Sequence, residues 1–296
     1  TGGSMTAPQR ILIQTTIPPV VDDWHIGRFS LLAQYLRDLR GEDGATLFEV
    51  VARDRASAND GADPVLANMD ESGFDQLWLF AVDTGDGLTP EECAAISRFR
   101  AQGGGLMVTR DHMDLGCSVC SLGGVGKAHH FHSSNPEPDP ERLRPDDVET
   151  ASILWPNYHS GANGDFQTIR PEGPVHPLLR DPDAPNGALQ FLPSHPHEGA
   201  VGAPADEPSA HVIATGVSQT TGVRFNIAVA FEREPGGAGA AVAQSTFHHF
   251  CDYNWDPRTG CPSFVSERPS DRIVIDPRGR WSTERYVRNL ATWLAR

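Results

Sequence analysis

Four apolar runs of strand length, spaced by helical or turn-rich segments, govern what the first third of this chain can become. Arg10-Ile11-Leu12-Ile13-Gln14-Thr15, Leu47 to Val51, Phe74 to Val82 and Leu106-Met107-Val108-Thr109 are short and apolar enough to be buried strands. Between the first two, Phe29, Leu32, Leu36 and Leu39 recur at helical spacing within 26–39. Before the fourth, Thr89-Pro90-Glu91-Glu92 offers an N-cap threonine, a proline at the first helical position and a glutamate at the third. That is a capping box, and the helix it opens ends at Gly103-Gly104-Gly105. Strand and helix in alternation predict an α/β fold, a three-layer sandwich around a mostly parallel central sheet. Such sheets bind ligands at the carboxyl ends of their strands. Here those ends are Thr15-Thr16, Asp83 and Arg110-Asp111-His112.

Beyond residue 113 the chain becomes rich in Pro, Gly, Asp and His, which predicts long loops over about 113–165 and 181–209. Strands resume at His211 to Ala214, Phe225 to Phe231 and Ala240 to Ser245. A closing helix is expected from about Thr283 to Leu294, with Trp281 and Tyr286 forming a hydrophobic staple around Ser282. Thr1 to Ser4, ahead of Met5, read as an expression scar, so residues 1–5 are set apart and 6–296 form one domain. No apolar run approaches the roughly 18 residues of a membrane span, and no apolar leader follows Met5, so a cytoplasmic location is expected. With 24 Lys+Arg against 39 Asp+Glu, the charge of −15 argues against nucleic acid and anionic lipid as partners. A small-molecule substrate fits better, and homo-oligomerisation is left open. Five cysteines, an odd number in a large chain, argue against a disulfide framework.

The unusual count is histidine. There are 12, against a single lysine, Lys127. Nine of the twelve fall at the turn after the fourth strand, in the long loops, or after the strand ending at Ser245; the exceptions are His25, His176 and His211. Cys117-Ser118-Val119-Cys120 followed by His129-His130-Phe131-His132 places five soft or borderline donors in one short stretch, a pattern suited to zinc or iron. Competing readings are a redox C-x-x-C pair, a metal-free histidine patch and an ordinary polar loop. His159, the Ser194-His195-Pro196-His197-Glu198 segment and His248-His249 offer a second source of ligands if their loops converge. His248 could equally cap its strand through backbone hydrogen bonds. Asp111 and Asp114 flank His112 and could orient it. His112 or Glu198 would then move a proton. Gly123-Gly124-Val125-Gly126-Lys127-Ala128 fails as a phosphate loop, because Ser121 and Ala128 stand where glycine and Ser/Thr are required.

Several segments, in this order, resemble the ThuA-like (trehalose utilisation) family of the class I glutamine amidotransferase-like, or flavodoxin-like, fold. They are Trp24-His25 after the first strand, Leu88 to Glu92 with Gly103-Gly104-Gly105-Leu106, Val175-His176-Pro177-Leu178, Ser245-Thr246-Phe247-His248, and the closing helix with Trp293. The resemblance implies one ThuA-like domain over 6–296 and a sugar-derived substrate. The chain departs from the pattern where Arg110 stands in place of a histidine, and the glutaminase-type nucleophile turn near Thr109 to His112 holds no cysteine.

The expectation is therefore a metal-assisted enzyme, of hydrolase or isomerase/lyase type, acting on a small polar molecule. Asp111, His112, Glu198 and His248 are its catalytic candidates. Cys117, Cys120, His129, His130 and His132 are its candidate ligands for a transition metal, zinc or iron. The alternatives are a thiol enzyme using Cys117 with His112, a non-catalytic metal- or haem-binding sensor, and a metal redox enzyme of a biosynthetic pathway.

Overall fold

The computed structural model describes residues 7–56, 61–147 and 149–296. The expectation for residues 1–5 lies outside them. The strands are β1 (Gln9–Thr15), β2 (Phe48–Arg53), β3 (Gln76–Phe80), β4 (Gly105–Thr109), β5 (His129–His130), β6 (Phe166–Thr168), β7 (Arg170–Pro171), β8 (Phe191–Pro193), β9 (Ala200–Val201), β10 (Ala210–Val217), β11 (Arg224–Phe231) and β12 (Ala241–Gln244). The helices are α1 (Ser30–Asp38), α2 (Pro90–Ala101), α3 (Gly123–Lys127), α4 (Asp252–Trp255), α5 (Arg272–Ile275) and α6 (Arg278–Trp293).

Eight strands form one sheet in the order β2-β1-β3-β4-β12-β11-β10-β7. The first five run parallel; β11, β10 and β7 continue it antiparallel. The two-residue alternation of strands sorts side chains to two faces. Ile11, Ile13, Trp78, Phe80, Met107 and Val242 join Leu32 and Leu36 of α1 and Tyr286 and Leu290 of α6. Leu12, Leu77, Leu79, Val108 and Ala243 join Ala95, Ile96 and Phe99 of α2. Truncating a fully buried aromatic such as Phe80 to alanine costs about 3–5 kcal/mol.

The capping box forms at Thr89: its hydroxyl accepts from the Glu92 amide (3.2 Å), and Glu92 accepts from the Thr89 amide (3.1 Å). The same Glu92 carboxylate takes both prongs of buried Arg55, at 3.0 and 2.6 Å. Removing one partner of such a buried pair costs about 3–5 kcal/mol. The triple glycine is explained by a close approach. A Cβ on Gly105 would lie 2.1 Å from the Leu294 carbonyl, so only glycine lets the end of the last helix seat on the sheet.

The closing helix differs from the expectation. It starts a turn earlier, at Arg278. Trp281 lies inside it and is 64% exposed, so it staples nothing. The helix expected over 26–39 opens instead as a 3-10 turn, Ile26–Phe29, before α1. The stretches expected as long loops carry short elements, among them a 3-10 helix at Cys117–Ser121, α3 and the β5–β9 ribbon.

Candidate metal centre

Strands β4 and β12 are parallel neighbours, with Thr109 opposite Gln244. Two residues beyond each strand end, that register sets Asp111 against Thr246, whose hydroxyl donates to Asp111 Oδ1 at 2.7 Å. His248 follows in the next turn. A third loop, from β8 to β9, brings His195. Asp111, His195 and His248 are all buried, and one donor atom from each lies within 4.8 Å of the others. His195 Nε2 stands 3.6 Å from Asp111 Oδ1, and His248 Nε2 stands 3.7 Å from Asp111 Oδ2. Tetrahedral bonds of about 2.0–2.1 Å set neighbouring donors about 3.4 Å apart, close to these spacings.

The protonation of the two imidazoles follows from their other nitrogens. The Ser194 carbonyl can only accept, and the Asn254 amide group donates to it at 3.0 Å. This fixes the orientation of Asn254, whose oxygen therefore faces His248 Nδ1 at 2.6 Å. The Asn254 nitrogen also donates to Asn163 Oδ1 (2.8 Å), which in turn faces His195 Nδ1 at 2.7 Å. Both Nδ1 atoms must carry hydrogen. Burial holds both imidazoles well below their usual pKa, so they are neutral and each Nε2 presents a lone pair. His195 Nε2 is buried and hydrogen-bonded to nothing. Two lone pairs thus face a carboxylate with no donor between them. The two rings lie stacked, with centroids 3.5 Å apart and planes 12° apart, so a shared ion would have to fan them open.

Around this set, the floor opens into a cavity of about 370 Å³ that also exposes His112, His197, Trp24 and Glu267. His112 Nε2 lies 3.8 Å from Asp111 Oδ2, its Nδ1 is buried without a partner, and burial lowers its pKa. His197 is held between Glu267, at 2.5 Å, and Asp147, at 3.6 Å. Its hydrogen bond draws the Glu267 carboxyl down to about 2. Arg110 is fully buried beneath the site. It donates to the carbonyls of Asp111 (2.7 Å), Met113 (3.2 Å), His130 (2.5 Å) and Ala200 (2.8 Å), and lies over the Phe131 ring.

Of the residues singled out in the sequence, Asp111, His112, His195, His197 and His248 meet here. Glu198 does not line the cavity. Its carboxylate is taken by Ser160, Gln167 (2.7 Å), Ser245 (3.0 Å) and the close but poorly aligned His249 ring (2.8 Å). The five expected metal ligands are not brought together in any set of three or more. Cys117 and Cys120 pack as free thiols against the α2-side core. Burial raises both, Cys120 to about 11, and no hydrogen bond joins Cys117 to His112. His129 is buried beside Phe131, His130 Nδ1 meets the Asn135 carbonyl at 2.9 Å, and His132 Nδ1 meets the Trp155 carbonyl at 3.0 Å. His195 and His197 rank above them, and the strand-end rule that selected Asp111 and His248 was the signal for where ligands gather. Nothing local marks Asn163 or Asn254.

A second group of similar composition, His176, His211 and Glu232, lies at the edge of the sheet. Here His176 Nδ1 accepts from the Leu178 amide at 3.1 Å, so its Nε2 carries the hydrogen and donates to Glu232 at 2.8 Å. His211 Nε2 lies 3.3 Å from the same oxygen.

The chain matches no protein-family model, and no curated protein is matched. Solved structures with partial likeness include the mmIFT52 N-terminal domain (TM-score 0.47, 11% identity, covering 92% of this chain and 97% of that one). Another is the glutaminase domain of Trypanosoma brucei CTPS with bound acivicin (0.46, 14%, 96% and 94%). A third is a ThuA-like protein from Parabacteroides merdae (0.43, 14%, 90% and 96%). At these TM-scores the likeness identifies neither a family nor an activity for this chain.

Proposed function

We propose that this protein is a metal-assisted enzyme, of hydrolase or isomerase/lyase type, whose ion is held by Asp111, His195 and His248. The observation that carries the reading is the amide chain from the Ser194 carbonyl through Asn254 to Asn163, which sets both Nε2 lone pairs toward one carboxylate. Metal-ligating histidines are commonly oriented in this way, by donating the other ring N–H to a fixed acceptor. Two neutral imidazoles and one carboxylate suit zinc or ferrous iron, with coordination positions left open toward the cavity. A bound divalent ion there would polarise a carbonyl or lower the pKa of water. The remaining work falls to the protein's own side chains. His112, kept neutral by burial, takes up a proton at its free ring nitrogen. His197 is oriented by its hydrogen bond to Glu267 and faces the same space. The Thr246 hydroxyl fixes the rotamer of Asp111.

The substrate in this reading is a small polar molecule, sugar-derived if the ThuA-like resemblance extends to chemistry. The three-layer, glutamine amidotransferase-like reading of the architecture is supported by apolar clusters on both faces of the sheet. A cytoplasmic location belongs to the same proposal; no helix among the described residues is long and apolar enough to cross a membrane. The thiol alternative is disfavoured because burial and the nearby Asp83 and Asp114 raise Cys117.

The test is elemental analysis and zinc titration of protein purified without a histidine tag. About one equivalent is expected, lost in His195→Ala and in His248→Ala and kept in Cys117→Ser. Less than about a tenth of an equivalent of any transition metal after reconstitution would sink the reading.

A further inference from the structure

The walls of the cavity have a chemistry of their own, independent of the floor. Carboxylates line it at Asp23 and Glu267, in addition to Asp111, and no lysine or arginine among the described residues does. Two nearby arginines are already committed, and the exposed Arg268 beside Glu267 does not line the cavity. Arg28 donates to the Asp23 carbonyl (2.6 Å) and the Val21 carbonyl (3.0 Å), and Arg110 is taken up by four carbonyls below the floor. The rest of the wall is largely apolar, with Trp24, Ile153, Val265 and Phe264.

The apolar character continues outward past the mouth. Phe264 is 60% exposed although it lines the cavity, and Leu154 beside Ile153 is 46% exposed. Val21 is 85% exposed. The neighbouring Asp22 carboxylate accepts from the amide (2.7 Å) and hydroxyl of Ser263. Those two hydrogen bonds tie the loop after β1 to the segment carrying Phe264. Large exposed apolar side chains gathered at the rim of a concave site are a mark of ligand contact.

We propose that the cavity takes a neutral or cationic small molecule with an aromatic or aliphatic body, and rejects phosphorylated molecules. The polar end reaches the floor between Asp23 and Glu267, and the apolar body lies against Ile153 and Phe264. An amine gains from the carboxylates, and a hydroxyl finds acceptors. In metal-free protein a phosphate meets three carboxylates and no lysine or arginine, which is a built-in repulsion. The inference rests on the proposed function only in taking the floor as the reaction centre, and it replaces the sugar-derived substrate suggested by the ThuA-like resemblance; the selectivity comes from the walls.

Calorimetric titration of the full chain with benzylamine, benzyl alcohol and benzyl phosphate, both metal-free and zinc-loaded, tests it. Benzylamine and benzyl alcohol should bind at least about tenfold more tightly than benzyl phosphate in the metal-free form, and a bound zinc ion should narrow that gap. Phe264→Ser, at an exposed position that does not hold the fold together, should weaken both by several-fold. Asp23→Asn should narrow the gap to the phosphate. Equal or tighter binding of benzyl phosphate in metal-free protein would overturn the proposal. So would failure of both benzylamine and benzyl alcohol to bind. A preference that survives in protein unable to take zinc would sink the metal reading and uphold this one.

Discussion

Two clusters in this molecule contain two histidines and one carboxylate, and they are wired in opposite senses. In His176/His211/Glu232, a helix-capping hydrogen bond takes the Nδ1 lone pair of His176 and leaves an N–H pointing at Glu232. The carboxylate there already has its proton donor. In Asp111/His195/His248, amide oxygens take the Nδ1 hydrogens and leave lone pairs pointing at Asp111. Composition and distance make the two look alike. The atoms on the far side of each ring tell them apart, and only the buried cluster is short of positive charge.

The largest expected effect breaks the contrast most directly. His195→Ala or His248→Ala should weaken zinc binding by more than about 100-fold, since even losing an outer hydrogen-bond partner costs about 10–100-fold. His211→Ala should leave it unchanged. Comparable losses in a calorimetric titration of both clusters would erase the distinction. Next comes the amide chain. Asn254→Ala should cost about 10–100-fold in zinc affinity while all three ligands stay in place; unaltered affinity would mean that the tautomers are set by something else.

A pH titration of stability is expected to show a smaller effect. His129, His195 and His248 are held by burial well below the ordinary histidine value. In the unfolded chain they titrate near about 6.5. Below that pH the unfolded state binds more protons, so stability falls as pH falls, by at most about 1.4 kcal/mol per group per pH unit. Urea midpoints of metal-free protein at pH 7.5 and 5.5 check the sign, and His195→Phe should make the fall shallower. A midpoint that rises on acidification would contradict neutral burial. The smallest effect sharpens the other side. His176→Ala removes a cap from the Pro177–Leu179 turn and should lower stability by about 1 kcal/mol without touching zinc.

How far the sequence disclosed all this depends on the range of each interaction. The strands β1 to β4, α2 and its capping box were legible because their determinants sit within a few residues of one another. The extra turn of α6 was not, since Trp281 suggested burial that the fold does not provide. Asp111, His112 and His248 were legible as residues beyond strand ends. The C-x-x-C with its nearby histidines drew attention by local density, yet on a short 3-10 helix both half-buried thiols pack against the core. Asn163 and Asn254 act on each other across 91 positions. Nothing in either one's neighbourhood could announce it.

Arg110 carries a consequence for how this protein can change over evolutionary time. One guanidinium gathers carbonyls from both the loop after β4 and the ribbon strand β9, and a Cβ on Gly199 would lie 2.1 Å from its Nε. The two segments that flank the ligand set are therefore keyed to a single side chain as well as to each other through the β5–β9 ribbon. Either can lengthen or shorten at its outer end, but the residues that meet Arg110 cannot shift by even one position without unseating the other loop. Variation in homologous chains should accordingly concentrate in 135–145 and 202–209, with the carbonyls under Arg110 as fixed points between them.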